Sequence, residues 1–361
     1  MHVNRIPNSE NIMNRTLSAL ALAAALLGGL APSADAQEPV SGGDDRAGTA
    51  AMEELLVPVT ARTVALGNTL IGGLATANAV ETVLSNPATI TASTGTSALF
   101  SRTEYVADIG INYVGIAQRF GANSIALTLS SWDYGDIPRT TEDSPELNPD
   151  LTWSASTLVV GATYARQFTD RIAGGATLKG LSREIDNVNA NGLAFDAGIT
   201  YVVGESGLRF GVSLQNFGAG MDFSGTGLQE PIDTQGPDGT GTVGGEFEDL
   251  ESELPSSLNF GGSYTRQFSG DLSASFLGSF RSNAYDLDNF AAGVEFGYAN
   301  LFYVRGGVNF TTDMDLSAWE VWNVGAGLNL DLAGTGVMVD YAYRPSDVFG
   351  GVNMFTLGIN L

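Results

Sequence analysis

Large apolar and small or polar side chains alternate along Leu258-Asn259-Phe260-Gly261-Gly262-Ser263-Tyr264-Thr265-Arg266-Gln267-Phe268. Leu258, Phe260 and Tyr264 fall on one face of an extended chain, and Asn259 and Ser263 fall on the other, because successive side chains of a strand point to opposite faces. A strand tilted across a bilayer needs about 9 to 11 residues, whereas strands of soluble proteins average about 5 to 6. This stretch therefore predicts a strand long enough to cross a membrane.

The same alternation recurs along most of the chain and predicts fourteen strands. They are expected near residues 97–106, 108–120, 123–133, 153–168, 171–183, 191–203, 207–217, 255–268, 271–281, 289–298, 301–311, 319–332, 335–345 and 351–361. A soluble sandwich shows the same periodicity, but an even number of long strands favours a closed outer-membrane barrel. Closure satisfies every backbone polar group in lipid, since a membrane sheet cannot keep an open edge.

The predicted connections alternate between tight turns and longer loops, as in outer-membrane barrels. Short turns are expected at residues 121–122, 169–170, 204–206, 269–270, 299–300 and 333–334, and longer loops at 134–152, 184–190, 218–254, 282–288, 312–318 and 346–350. Aromatic residues crowd the strand ends beside the tight turns: Phe120, Phe168, Phe268, Tyr298 and Phe302. This placement predicts an aromatic girdle at one membrane interface.

The first 36 residues have the pattern of a secretory signal peptide. Arg15 precedes an apolar run from Leu17 to Leu30, and Ala34-Asp35-Ala36 fits the cleavage rule. A membrane anchor is the alternative, but the apolar run is short for a span. Polar, Gly-rich residues 37–51 are predicted to be a linker. These features predict export to the outer membrane of a Gram-negative bacterium, with outer-membrane lipid as a partner.

Composition excludes several classes of function. The chain has a formal net charge of -24, no Cys and a single His, His2, which precedes the predicted cleavage site. We therefore expect no nucleic-acid partner, no catalytic triad, no metal site of His or Cys, and no cofactor. Lys179 is the one lysine, so no Ser-Lys pair is visible and the protein is predicted not to be an enzyme. Two alternatives are open for the high acidity with a single lysine: adaptation to high salt, and GC-rich codon composition, which also favours Arg.

Residues 52–96 are Ala-rich and do not alternate, so they are predicted to be buried inside the barrel lumen. They contain Pro58-Val59-Thr60-Ala61-Arg62-Thr63-Val64-Ala65-Leu66-Gly67 and, further on, Asn86-Pro87-Ala88. With these two elements the chain resembles the PorV/PorQ family, within the wider FadL-like outer-membrane barrels. It departs from the family pattern at Thr60, at Leu84-Ser85 and at Thr76-Ala77-Asn78. The resemblance implies an all-β, 14-stranded antiparallel transmembrane β-barrel, residues 97–361, with an N-terminal luminal hatch, residues 52–96.

The hatch motif provides the candidate site residues, which are structural or gating: Pro58, Ala61, Arg62, Gly67, Asn86, Pro87 and Ala88. A buried charge must be paired, so Arg62 is predicted to form an ion pair with Asp196, Glu295, Asp331 or Asp340 on the inner wall. Asn86-Pro87-Ala88 either gates the lumen or forms a turn, since Asn-Pro favours turn initiation.

Two predicted outer loops are rich in carboxylates. Loop 218–254 carries Asp233, Asp238, Glu246, Glu248, Asp249, Glu251 and Glu253, and loop 134–152 carries Asp136, Glu142, Asp143, Glu146 and Asp150. Clustered carboxylates bind calcium, but the spacing matches no EF-hand, so a solvated surface is the simpler interpretation. Contact with a partner and capping of the lumen are both open for loop 218–254.

Two functions fit these observations. Relatives in the PorV/PorQ family imply an accessory role in type IX-like protein secretion or surface attachment, with secretion machinery or secreted cargo meeting loops 134–152 and 218–254. FadL-like passive transport of hydrophobic small molecules across the outer membrane is the alternative. The polar outer loops disfavour an apolar capture site, so protein handling ranks first on the sequence.

Overall fold

The computed structural model describes residues 48–140, 146, 150–236, 239–246, 251–268, 270–311, 322–346 and 350–361. For residues 229–236, 239–246 and 251 it describes the backbone alone. The predicted signal peptide 1–36 and most of the predicted linker 37–51 lie outside the described residues, so both stay predictions.

Alternating sequence produces long antiparallel strands that close into a ring. The described residues contain β1 (Thr96–Glu104), β2 (Gly110–Phe120), β3 (Asn123–Pro138), β4 (Thr152–Gln167), β5 (Ile172–Ile185), β6 (Val188–Val202), β7 (Leu208–Gly218), β8 (Met221–Gly225), β9 (Gln229–Gly236), β10 (Gly239–Glu246), β11 (Glu251–Ser252), β12 (Ser257–Gln267), β13 (Leu272–Asn283), β14 (Asn289–Tyr298), β15 (Phe302–Thr311), β16 (Asn323–Leu332), β17 (Thr335–Arg344) and β18 (Val352–Asn360). The barrel consists of β1–β7 and β12–β18, each paired with its neighbours, and β1 pairs with β18 to close it. The predicted fold class, a closed 14-stranded antiparallel transmembrane barrel, is confirmed.

The two faces of each strand meet different surroundings, as the alternation predicts. On β12 the outward side chain of Phe260 is 43% exposed, whereas the inward side chain of its neighbour Asn259 is 1% exposed. Large apolar side chains project outward on most strands of the barrel. An outer surface of this kind is typical of a barrel that contacts lipid rather than water. At the short-turn end this belt finishes in the predicted aromatic residues, all exposed: Phe120, Phe168, Phe268, Tyr298 and Phe302.

Three of the predicted loops differ from the structure. The predicted loop 184–190 is a two-residue turn, Asp186-Asn187, between β5 and β6. Asp186 has a φ of 52°, a left-handed conformation that Asp tolerates in tight hairpins. The predicted loop 218–254 contains β8, which extends the wall by pairing with β6, and a separate hairpin of β9 and β10. β3 continues through a bulge to Pro138, so the predicted loop 134–152 is shorter. Residues 312–321 and 347–349 lie outside the described residues.

Residues 49–95, here called the amino-terminal segment, fold into short helical turns. They include α1 (Ala61–Ala65), α2 (Ala79–Thr82) and 3-10 helices at Glu53–Leu56, Leu70–Gly72 and Pro87–Ala92. In the described part of the chain no helix combines the length and the apolar character that crossing a membrane requires. Most of the segment is buried, including Met52, Leu66, Leu70 and Ile90. The segment contacts the inner faces of strands around the whole ring.

Glycines on the inner wall allow the segment's backbone to approach closely. A Cβ on Gly211 would lie 2.0 Å from the carbonyl oxygen of Ile71, and a Cβ on Gly307 would lie 2.4 Å from the backbone nitrogen of Gly67. Neither backbone can be displaced like a flexible side chain, so only glycine fits at these two positions. These glycines therefore determine where the segment packs against the inner wall. The role of residues 52–96 as a hatch stays a prediction.

Candidate functional site

Five buried charged groups meet where the amino-terminal segment contacts strands β14, β15 and β17. Arg62 and Glu81 come from the segment, and Glu295, Arg305 and Asp340 come from the wall, each at most 2% exposed. This set is called the charge cluster below. All three wall positions are inward positions of their strands, which follows from the period of two.

Arg305 links the two wall carboxylates. Its Nε donates to Glu295 Oε2 at 2.6 Å, and its Nη1 donates to Asp340 Oδ1. Arg62 sits beside this pair, with its Nε 3.6 Å from Glu295 Oε2 and its Nη2 3.8 Å from Asp340 Oδ2. Both guanidinium groups also lie near the ring of Tyr303, at 5.7 Å for Arg62 and 5.4 Å for Arg305, an arrangement that favours cations.

Arg62 is anchored to its own segment as well as to the wall. Its Nη1 donates to the carbonyl oxygen of Thr76 at 2.7 Å, and Thr76 Oγ1 donates to Glu295 Oε1 at 2.8 Å. Of the four carboxylates predicted to pair with Arg62, Glu295 and Asp340 are confirmed. Asp196 instead pairs with Lys179, whose Nζ lies 2.7 Å from its Oδ2. Asp331 accepts from the backbone of Gly334 in a turn, because it lies at the end of β16, away from Arg62.

Glu81 is the member of the cluster that sequence reasoning missed. Its Oε2 lies 3.7 Å from Arg62 Nε, and neither of its carboxylate oxygens has a hydrogen-bond partner in the described residues. A signal was available, since Arg62 and Glu81 are the one base and the one acid between residues 55 and 101. In a segment this apolar, both groups must be buried, and buried charges must be paired.

The charge cluster holds two guanidinium groups and three carboxyl groups, so it has one negative charge too many when all are ionised. Burial raises the pKa of Glu81 from 4.5 to about 7; the charge of Arg62 opposes the shift and that of Asp340 adds to it. Glu81 is the carboxyl with the fewest polar contacts, so it is the one that takes up the proton. Protonation of Glu81 makes the cluster neutral.

Replacement of Glu81 with Gln is expected to make the stability of the protein less dependent on pH. In the wild type, Glu81 has a higher pKa folded than unfolded, so folding is weakened as pH rises from about 4.5 to about 7, by on the order of 3 kcal/mol. Glu81→Gln removes this loss because the amide does not ionise. Urea unfolding in detergent at pH 5 and pH 8 measures the difference, with exposed Glu184→Gln as the control. An equal pH dependence in Glu81→Gln and the wild type would contradict the assignment.

Asn86 ties the amino-terminal segment to the opposite part of the wall. Its side-chain Nδ2 donates to the carbonyl oxygen of Ile71 at 2.9 Å and to that of Ile199 on β6 at 3.2 Å. Its Oδ1 accepts from the backbone nitrogen of Ala88 at 3.0 Å and so caps the helix that begins at Pro87. The turn predicted for Asn86-Pro87-Ala88 is therefore present, and the bonds to the wall are an additional feature that the sequence did not indicate.

The other hatch-motif residues have local structural roles. The backbone nitrogen of Ala61 donates to Thr356 Oγ1 on β18 at 2.9 Å. Gly67 has a φ of 68° just after α1, where glycine is the usual residue. Pro58 lines a small cavity, and Ala88 is fully buried. A gating role for any of these residues stays a prediction.

A cavity of about 650 Å³ opens at the long-loop end of the barrel. Aromatic side chains line it, namely Tyr105, Trp132, Tyr134 and Tyr285, together with Leu56 and Val57 of the amino-terminal segment. The rings of Tyr105 and Trp132 meet edge to face, with centroids 5.8 Å apart. We call this the aromatic cavity. Its size is typical of small-molecule sites, which are lined mainly by apolar and aromatic groups.

Four charged residues also line the aromatic cavity, namely Glu53, Glu54, Arg183 and Asp286. Glu54 accepts a hydrogen bond from the hydroxyl of Tyr134 and lies 3.3 Å from Arg183 Nη2. A second cavity of about 70 Å³ shares Glu54, Leu56, Val57 and Trp132 with the aromatic cavity and reaches Pro58 deeper in the lumen. The polar character of the outer loops disfavoured an apolar capture site on the sequence, but it does not extend to this cavity. Trp132 and Tyr134 come from β3, and Leu56 and Val57 come from the amino-terminal segment.

The chain thus forms a closed fourteen-stranded antiparallel barrel whose lumen holds the amino-terminal segment. No family model matches the sequence, and no curated protein matches it. Among solved structures, the chain is similar to the Pseudomonas putida toluene transporter TodX, with 12% identity, 83% of this chain and 96% of that chain covered, and a TM-score of 0.52. A second structure of the P. putida toluene transporter TodX matches over the same shares with 13% identity and a TM-score of 0.50. The CymD monoaromatic hydrocarbon channel matches with 13% identity, coverage of 83% and 97%, and a TM-score of 0.48. At these identities the likeness to the two TodX structures supports the fold alone.

Proposed function

We propose that the protein is a passive transporter of hydrophobic small molecules across the outer membrane. The observation that carries this proposal is the aromatic cavity, whose rings and apolar side chains suit small apolar molecules that are poorly soluble in water. The fold shared with the toluene transporter TodX supports the same function. The chain's own aromatic belt and closed wall support an outer-membrane location, since closed barrels with lipid-facing apolar bands are found there.

The proposed route begins at the long-loop end. A molecule enters the aromatic cavity and meets the smaller cavity beside Pro58, where the amino-terminal segment fills the lumen. Because the segment contacts the wall all around the ring, onward passage requires part of it to move. On this proposal residues 52–96 are the hatch.

The test introduces a charge into the aromatic cavity. Val57→Asp is expected to lower the initial rate of toluene uptake about tenfold or more, since a carboxylate makes the cavity unfavourable for an apolar molecule. Uptake of radiolabelled toluene is measured in cells whose outer membrane limits its permeation. Val203→Asp, the same substitution in a turn at the opposite end, is the control and should transport normally. Uptake by Val57→Asp at the wild-type rate would overturn the proposal.

The second candidate is the role ranked first on the sequence, an accessory function in type IX-like protein secretion or surface attachment, like that of the PorV/PorQ family. The hairpin of β9 and β10 favours it, because it forms a sheet separate from the barrel at the long-loop end and offers a surface for secretion machinery or cargo. Removal of residues 229–246 distinguishes the two functions. Loss of a co-purifying protein on removal of the hairpin, in a protein that takes up no toluene even as the wild type, would favour protein handling. Wild-type uptake that survives the removal, with no co-purifying partner, would favour transport.

A further inference from the structure

A cavity of about 240 Å³ lies at the short-turn end of the barrel, opposite the aromatic cavity. It is enclosed by the amino-terminal segment on one side and by β2 and the strands from β4 to β7 on the other. Its charged lining residues are Arg119, Arg171, Arg209 and Asp170. Three cations and one carboxylate give this site a positive balance in a chain whose formal net charge is -24. We call it the arginine cavity.

Arg119 is already fixed by neutral acceptors. It donates to the carbonyl oxygens of Thr91 and Ser93 and, through Nη2, to Gln167 Oε1 at 2.6 Å. None of these acceptors carries a charge, so the positive charge of Arg119 is not neutralised. Arg119 therefore forms a rigid cationic wall of the cavity.

Arg171 and Arg209 have unused donors. In the part of the chain that the structure describes, neither side chain has a hydrogen bond or an ion pair, and Asp170 does not pair with its neighbour Arg171. Arg209 occupies an inward position on β7, beside Gly211, and is only partly exposed. A half-buried guanidinium without a partner is unfavourable, and an arriving anion would relieve that cost.

The remaining lining does not compete for these guanidinium groups. The hydroxyls of Thr82, Thr89 and Thr91 donate to carbonyl oxygens within the segment. Leu74, Ile172 and Val202 are apolar. The free charged donors of the cavity are thus those of Arg171 and Arg209, and the planar fork of arginine matches the oxygens of a carboxylate or phosphate.

We propose that the arginine cavity binds a small oxyanion, with Arg171 and Arg209 donating to its oxygens and Arg119 contributing charge. The volume is below the range of about 300 to 1,000 Å³ usual for drug-sized ligands, so the ligand is the size of inorganic phosphate or a simple monocarboxylate. Asp170 and Arg171 are exposed turn residues, so the site is reached from the short-turn end. The proposal stands independently of the transport function, because no residue of the aromatic cavity takes part.

The experiment is isothermal titration of the full chain in non-ionic detergent at low ionic strength. Sodium phosphate and sodium benzoate are the two probes, and sodium chloride is the control for general screening. We expect saturable one-to-one binding of at least one probe, and the probe that binds distinguishes a phosphate from a carboxylate ligand. Arg209→Gln and Arg171→Gln should each weaken that binding about tenfold or more, as expected for a lost charged hydrogen bond.

The matched control is Arg266→Gln, because Arg266 is exposed at the same end of the barrel but lies outside the cavity. It should bind the probe as the wild type does. Heat-modifiable gel migration shows that each variant retains a folded barrel. Absence of saturable binding for both probes, or equal affinity in Arg209→Gln and Arg266→Gln, would overturn the proposal.

Discussion

Replacement of Arg305 with Met is expected to lower the free energy of unfolding by about 3–5 kcal/mol. The substitution leaves Glu81, Glu295 and Asp340 buried with Arg62 as their one cation. Arg305 makes the two shortest charged contacts of the cluster, to Glu295 and Asp340. Removal of one partner from a buried ion pair leaves an uncompensated charge, which costs far more than the loss of an exposed pair. Urea unfolding, followed by tryptophan fluorescence in detergent, measures the change.

A control variant and a rescue variant both test whether the loss of stability comes from unpaired buried charge. Arg266→Met removes an exposed arginine and should change stability by less than about 1 kcal/mol. Combining Arg305→Met with Glu295→Gln and Asp340→Asn removes the stranded charges and should recover much of the loss. A single Arg305→Met variant as stable as Arg266→Met would show that the charge cluster does not hold the structure together.

Replacement of Gly211 with Val is expected to displace the amino-terminal segment while the barrel itself remains closed. Any side chain at this position collides with the carbonyl group of Ile71, and such overpacking costs about 1–3 kcal/mol. The strain falls on the contact between segment and wall, because Val is well suited to a strand. Single-channel conductance in planar bilayers should rise, and limited proteolysis should reach the segment. Heat-modifiable migration of the barrel should remain.

Gly278→Val is the matched control for this experiment. Gly278 lies on the outer face of β13, and its nearest neighbour for an added Cβ is 3.8 Å away. The Gly278→Val variant should retain the conductance and protease resistance of the wild type. If Gly211→Val conducts no better than Gly278→Val, the segment does not close the lumen.

The barrel could be predicted because its signal is local and repeated. Each strand carries its own alternation, so the limits of β12 or β14 follow from a dozen residues. The turn at Asp186-Asn187 and the strand β8 were missed for the opposite reason. Both depend on the partner that a neighbouring strand provides, and single-strand periodicity does not contain that information.

The candidate site was predicted in part. The features that were not predicted depend on contacts between residues far apart in sequence. The need to pair Arg62 followed from its burial, and inward parity on the strands pointed to Glu295 and Asp340. Asp331 also lies on the inner face, but it is at a different height along the barrel axis from Arg62. The alternation of side chains shows which face a residue occupies and does not show its height. Glu81, the aromatic cavity and the arginine cavity arise where the segment meets the wall, a contact between parts of the chain that are far apart in sequence.

The pairing of β1 with β18 makes closure of the ring a contact between distant parts of the chain. Ser97 lies opposite Asn360, so the ring joins its first strand, β1, to β18, and the amino-terminal segment precedes both in sequence. Ring closure has a loop-entropy cost that grows with chain length. The segment's backbone packs against Gly211 on β7 and Gly307 on β15, so it contacts strands that are far apart in sequence. We expect contact with this segment to lower the entropic cost of closing the ring, because it holds those strands near one another.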